Sequence, residues 1–187
     1  MPTTKIRNTR TYRKTKYIIY RQTILNPIDH LWTFLGAFVG IGLIGFSQSF
    51  VFTSIENVFL IGSFGASAVL IYGATNSPLA QPRNLVGGHI ISAFIGVCIA
   101  KLLPDPNLNW LACALSVSLS IVAMQISKTM HPPGGASALI ANIGTEKIKS
   151  LGFMYVLNPV LSGVLILLTV AFVFNNMASN RNYPYRK

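Results

Sequence analysis

The sequence predicts an all-α membrane protein with four long transmembrane helices and two short, broken half-helix segments, arranged as an internal two-fold repeat. Three observations carry that prediction. Hydrophobic residues make up 51% of the chain and charged ones only 10%, against roughly a quarter charged in an ordinary soluble domain. Four apolar runs are each long enough to cross a bilayer. Finally, Gly65-Ala66-Ser67-Ala68 recurs as Gly135-Ala136-Ser137-Ala138, each followed by aliphatic residues, and the match runs on without a gap to Ile90-Ile91-Ser92-Ala93 over Val160-Leu161-Ser162-Gly163. A fixed offset held over that distance points to duplication rather than to a coincidence of small residues.

Charge placement gives the topology. The net charge is +11, and seven of the fifteen basic residues precede Leu31: Lys5, Arg7, Arg10, Arg13, Lys14, Lys16 and Arg21. A basic segment ahead of a first apolar helix is the positive-inside signal and keeps the N-terminus cytoplasmic. The partner it implies is the lipid bilayer, with a headgroup role compatible, and not nucleic acid. Its Thr-rich, basic composition also resembles that of an organelle transit peptide. The four acids, Asp29, Glu56, Asp105 and Glu146, lie at the edges of apolar runs, where a carboxylate need not be desolvated. Cys98 and Cys113 lack disulfide or zinc spacing, so neither a metal nor another cofactor is expected.

The chain therefore divides into a basic cytoplasmic segment over 1–28, a transmembrane domain over 29–176 with repeats at about 31–103 and 109–174, and a basic cytoplasmic tail over 177–187. Leu31 to Thr53 forms the first span, with Trp32 as an interfacial anchor and Gly36, Gly40 and Gly45 as a close-contact stripe. Val58 to Ala74 is broken by Gly62, Ser63 and Gly65, which suggests an extended piece and a short helix from about Gly65. Leu85 to Leu103 and Trp110 to Ile126 are the next spans. Lys128 to Pro133 is the second break, Gly134 to Ile143 the second short helix, and Phe153 to Phe174 the last span. If the broken segments dip in and return, the chain crosses four times; if they traverse, it crosses six times and the repeats are inverted.

Breaks at membrane depth survive only where protein or a wet cavity satisfies the freed peptide groups, so they mark the candidate site. Pro132 and Pro133 suit a helix start, and Pro132 biases His131 toward an extended backbone. Behind them Gly134, Gly135, Ala136 and Ser137 are expected to offer free N–H groups at the positive end of a helix dipole, congenial to a small anion. Gly62, Ser63, Phe64, Gly65, Ala66 and Ser67 make the corresponding end in the first repeat. The same small residues also read as a packing face between helices. Arg83, with Asn84 beside it, is either a solvated interfacial residue or an anion-recruiting one. His89 and His131 are either structural or act as hydrogen-bond donors and proton carriers.

Three stretches taken together, Gly62-Ser63-Phe64-Gly65-Ala66-Ser67-Ala68, Pro78-Leu79-Ala80-Gln81-Pro82-Arg83-Asn84-Leu85-Val86-Gly87-Gly88-His89 and His131-Pro132-Pro133-Gly134-Gly135-Ala136-Ser137-Ala138-Leu139-Ile140, resemble the HPP family of integral membrane proteins. The resemblance covers about residues 30 to 175 and departs from the family's commoner Ala-Gly-Ala-Thr after the two prolines. It implies four transmembrane helices and, from members in cyanobacteria and chloroplasts, nitrite transport at a bacterial plasma membrane or a chloroplast envelope. The expectation is thus a homo-oligomeric, non-enzymatic transporter of a small anion. An accessory or assembly subunit of a larger membrane complex is the alternative, since the chain is short and lacks charged transport residues. An intramembrane enzyme would need a carboxylate pair or a metal cluster that the sequence does not supply.

Overall fold

The computed structural model describes residues 27–50 and 62–185; the basic leader up to residue 26 and the far end of the first expected span lie outside the described residues. Among the described residues all regular structure is helical. In order these are α1 (Pro27–Gln48), α2 (Gly62–Gly73), α3 (Pro82–Leu102), α4 (Asn109–Ile126), α5 (Pro132–Ile143), α6 (Glu146–Ser150) and α7 (Ser162–Met177). Single 3-10 turns at Pro78–Ala80 and Pro106–Leu108 lead into α3 and α4. Four stretches are long and apolar enough to cross a membrane: Pro27–Gln48, Pro82–Leu102, Pro106–Ile126 and Val156–Met177.

Three helices begin earlier than hydropathy alone indicates, and each begins on a proline: α1 at Pro27, α3 at Pro82 and α5 at Pro132. A proline at the first helical position forfeits no hydrogen bond and brings its φ already set, so the polar residues after it are drawn into the helix. The last span, Val156–Met177, is present but kinked near its start: Asn158, ahead of Pro159, takes the non-helical angles φ −136°, ψ 118°, and regular α-helix runs on from Ser162. The expected extended piece around Gly62 is corrected, because α2 is already helical there. A Cβ at Gly62 or Gly65 would meet nothing within 4 Å, so these glycines need not bend the chain.

Hydrogen bonds fix the direction of each helix in the compact unit that begins at Trp32. Thr33 Oγ1 donates to the Tyr72 carbonyl at 3.0 Å, and Arg181 reaches both groups, at 3.1 Å to Tyr72 O and 2.8 Å to Thr33 Oγ1. Arg83 donates to Ser127 O at 2.9 Å, and the Tyr183 hydroxyl to Ala80 O at 2.7 Å. Burial raises the Tyr183 hydroxyl's pKa, which keeps it a donor. One end of the bundle therefore gathers the starts of α1 and α3 with the ends of α2, α4 and α7. The opposite end holds the α3–α4 turn, the end of α5 and α6, around a cavity of about 320 Å³. It follows that α1 and α3 run one way, and α4 and α7 the other. Among the described residues α2 runs toward the first of these ends and α5 away from it, so the two short helices run in opposite directions.

Backbone proximity holds α5 against α3. A Cβ on Gly96 would stand 2.5 Å from Ala138 O, and one on Gly134 would stand 2.7 Å from Gly88 O. Such close approach is how helices associate where the surroundings are as apolar as the helices themselves. Tyr72 plays a similar part elsewhere: its ring fills the notch left by Gly36 and Gly40 on α1, and its hydroxyl donates to Leu167 O at 2.9 Å. Gly96→Leu should therefore prevent a folded, monodisperse protein from being recovered in detergent, because the obstructing atom is backbone and cannot swing aside. Gly42→Leu, on an exposed position with nothing within 4 Å of its Cβ, should leave the unfolding temperature unchanged; size-exclusion profiles and thermal scans compare the two.

Candidate functional site

Two histidines meet where α2, α3 and α5 converge. His89 lies two turns into α3, and His131 is the residue just before α5, with φ −141° and ψ 100°, the extended backbone expected ahead of Pro132. Both rings are fully buried and their centroids are 5.0 Å apart. Ser67 of α2 stands between them, its Oγ 2.7 Å from His89 Nε2 and 2.9 Å from His131 Nε2. The outer ring nitrogens are bonded too: His131 Nδ1 to Leu79 O at 2.8 Å, and His89 Nδ1 to Ser137 Oγ at 2.8 Å. Phe64 closes one side with its ring centroid 5.7 Å from that of His89.

Partner chemistry sets the tautomers. A carbonyl only accepts, so His131 Nδ1 carries the hydrogen that bonds Leu79 O, and a neutral His131 must accept at Nε2. Ser67 then spends its one hydrogen on His131. His89 Nε2 must donate to Ser67, which leaves His89 Nδ1 to accept from the Ser137 hydroxyl. The result is a chain of hydrogen bonds of one polarity, Ser137 to His89 to Ser67 to His131 to Leu79 O, with both rings neutral and every ring nitrogen satisfied. Ser67 Oγ also lies 3.2 Å from Ser63 O, a second acceptor for the same hydrogen.

The chain ends at the Ser137 hydroxyl. Tyr155, itself buried, lines the cavity at the far end and donates to the backbone carbonyl of Ser137 at 2.9 Å, a separate bond that places it next to the chain without extending it. Asn142 lines it as well; its Nδ2 donates to Ser116 Oγ at 2.8 Å and to Ala138 O at 3.0 Å, while its buried Oδ1 has no partner. Lys101 and Lys149 are exposed lining residues of the same cavity.

The expected row of free N–H groups at the start of α5 is absent. Pro132 and Pro133 have none, and Gly134 N–H is spent on His131 O at 2.8 Å; Gly135, Ala136 and Ser137 follow within the helix, where N–H groups bond to the preceding turn. The prolines that mark the helix start thus remove its orphan donors. What the junction offers is side chains, among them Ser92 Oγ, fully buried without a partner, 2.9 Å from the place a Gly134 Cβ would occupy. Ser63, Phe64, Ser67, His89, His131, Pro133, Gly134 and Ser137 are all buried, whereas Gly62, Ala66 and Pro132 are exposed and Gly65, Gly135 and Ala136 partly so. Arg83 and Asn84 clamp the second break to the start of α3, through Ser127 O at 2.9 Å and Met130 O at 2.8 Å respectively. Sequence reasoning does not single out Leu79, Tyr155, Ser92 or Asn142 as site residues: Leu79 and Ser92 lie within the motifs named above but without a role, and Tyr155 and Asn142 are single polar residues in apolar runs. Among the described residues no three His, Cys, Asp or Glu side chains gather where a metal could bind.

A model of the transmembrane region of the HPP family matches residues 22–184. A transmembrane protein of Dictyostelium discoideum is 49% identical over 154 residues, which are 82% of this chain and 49% of that protein. A second transmembrane protein of the same organism is 48% identical over 154 residues, 82% of this chain and 54% of its own length. The chain thus spans about half the length of the curated relatives it matches. No solved structure matches it. If the hydrogen-bond chain holds the junction together, Ser67→Ala, which strips a partner from both rings, should cost about 1–3 kcal/mol. Ser137→Ala should cost less and Ser118→Ala, on an exposed face, close to nothing; thermal unfolding in detergent ranks the three.

Proposed function

The chain belongs to the HPP transmembrane family and is an integral membrane protein, and on that premise we propose that it moves a small monovalent anion, nitrite in the first instance, across the membrane. The observation that carries the reading is the fully buried Ser67, His89, His131 and Ser137 chain in a bundle of apolar spans. Ionisable side chains at membrane depth are costly to retain and usually mark an ion or proton pathway. Nitrite is taken from the resemblance to cyanobacterial and chloroplast members. The oppositely directed short helices suit inverted duplication, the architecture in which transporters place a substrate between two repeats.

In this reading the anion is recognised by side-chain donors rather than by free helix-end N–H groups. At the cavity mouth Lys149 pairs with Glu146 at 3.3 Å and Asp105 shares the lining, so Lys101 is the residue that would draw an anion there. Inward from that cavity Tyr155 bonds the Ser137 backbone, the Ser137 hydroxyl bonds His89, and His131 bonds the Leu79 carbonyl on the other side of the pair. In this reading the junction gives an anion polar contact where it would otherwise meet hydrocarbon. Ser92 Oγ is a buried donor without a partner. The hydrogens of the chain reach the anion by leaving their present acceptors, without a fixed positive charge, which favours passage over trapping. Purified protein in liposomes should take up nitrite saturably above empty liposomes, with formate competing. His131→Asn should lower that uptake at least about tenfold, the value of one hydrogen bond to a charged group, with an unchanged size-exclusion profile. Absence of uptake by the folded wild-type protein would overturn the reading.

A further inference from the structure

We propose that the histidine junction binds one proton together with one anion, so that transport is electroneutral proton–anion symport. This rests on the transport reading and adds its driving force. The argument begins with the single hydrogen of Ser67. That hydroxyl has two acceptors in reach, His131 Nε2 at 2.9 Å and Ser63 O at 3.2 Å, and can serve only one at a time. With both rings neutral it points to His131. When His131 Nε2 takes a proton, the ring donates at both nitrogens, to Leu79 O and to Ser67 Oγ; Ser67 then accepts from both histidines and turns its hydrogen to Ser63 O. Both states satisfy every ring nitrogen, and they differ by one proton and one hydroxyl rotation. No heavy atom has to move.

A charge gained there has nothing to balance it. The groups against the two rings are Ser67 and Phe64 from α2, the Leu79 carbonyl from the turn before α3, and Ser137 from α5. Behind them lie the Ser63 carbonyl, bonded by Ser67, Tyr155, bonded to the Ser137 backbone, and Ser92 of α3, next to Gly134. Among the described residues no carboxylate, lysine or arginine bonds to either ring. An imidazolium alone at this depth is expensive, and so is an anion alone, but the pair is neutral. Each therefore lowers the cost of the other, and by linkage the anion raises proton affinity by the same factor as the proton raises anion affinity. Ser92 supports the location independently. Its fully buried hydroxyl, without a partner and next to Gly134, is a donor left over for the anion.

The direct test is proton uptake by weakly buffered protein in nanodiscs on addition of sodium nitrite, with bound nitrite measured in parallel. About one proton per bound nitrite is expected, lost in His131→Asn and retained in His30→Asn, whose histidine is exposed. Nitrogen-15 spectra of labelled histidine in the His30→Asn protein, which leaves His89 and His131, give a second readout: without nitrite, one ring protonated at Nδ1 and one at Nε2, and with nitrite, one ring carrying both. In liposomes an inward proton gradient should drive nitrite accumulation, whereas a potassium diffusion potential with valinomycin should not. Nitrite binding or flux without proton uptake, or flux that follows the membrane potential, would overturn symport and leave the transport reading standing. If nitrite neither binds nor moves, both fall.

Discussion

The closeness of the α3 and α5 backbones is the constraint on which the rest depends. Glycines at 88, 96 and 134 remove the side chains that would hold the two helices apart. Only at that distance does the residue before α5 fall level with the second turn of α3, which brings His131 beside His89. The packing and the polar chain are therefore one feature. The small residues that read equally as a packing face or as a site turn out to build the site by packing.

A second constraint follows from burial. Polar atoms at this depth cannot rely on water, so each must find a protein partner or remain costly. The junction meets that demand with groups of different origin: a hydroxyl from α2, a carbonyl from the turn before α3, a hydroxyl from α5. No single segment could supply them. This explains why two helices too short to span a bilayer lie among four that are long enough.

Much of the fold was legible in the sequence because its signals are local. Apolar length marked the four spans, and Pro132-Pro133 fixed both the start of α5 and the extended backbone of His131. The same prolines misled the reading of the helix end, since small residues suggested exposed donors while the prolines before them left none. His89, His131, Ser67 and Ser137 could be named individually, but their connection could not, because it depends on contacts between residues 22, 48 and 64 positions apart. Leu79 was invisible for a different reason: only its carbonyl takes part, and a carbonyl has no sequence identity. The kink at Asn158 interrupts a run whose hydropathy is uniformly high, and hydropathy does not register backbone angles.

The clasp around Leu79 reaches beyond the spans. Tyr183 of the tail holds the Ala80 carbonyl, and the Tyr185 amide holds Gln81 Oε1, while Gln81 Nε2 ties back to Thr75 O and Ser77 O. These four bonds brace the short turn whose Leu79 carbonyl orients His131. The tail is thus linked, through residues 80 and 81, to the carbonyl that orients one buried imidazole, so the last residues described are part of what fixes the geometry of the histidine pair.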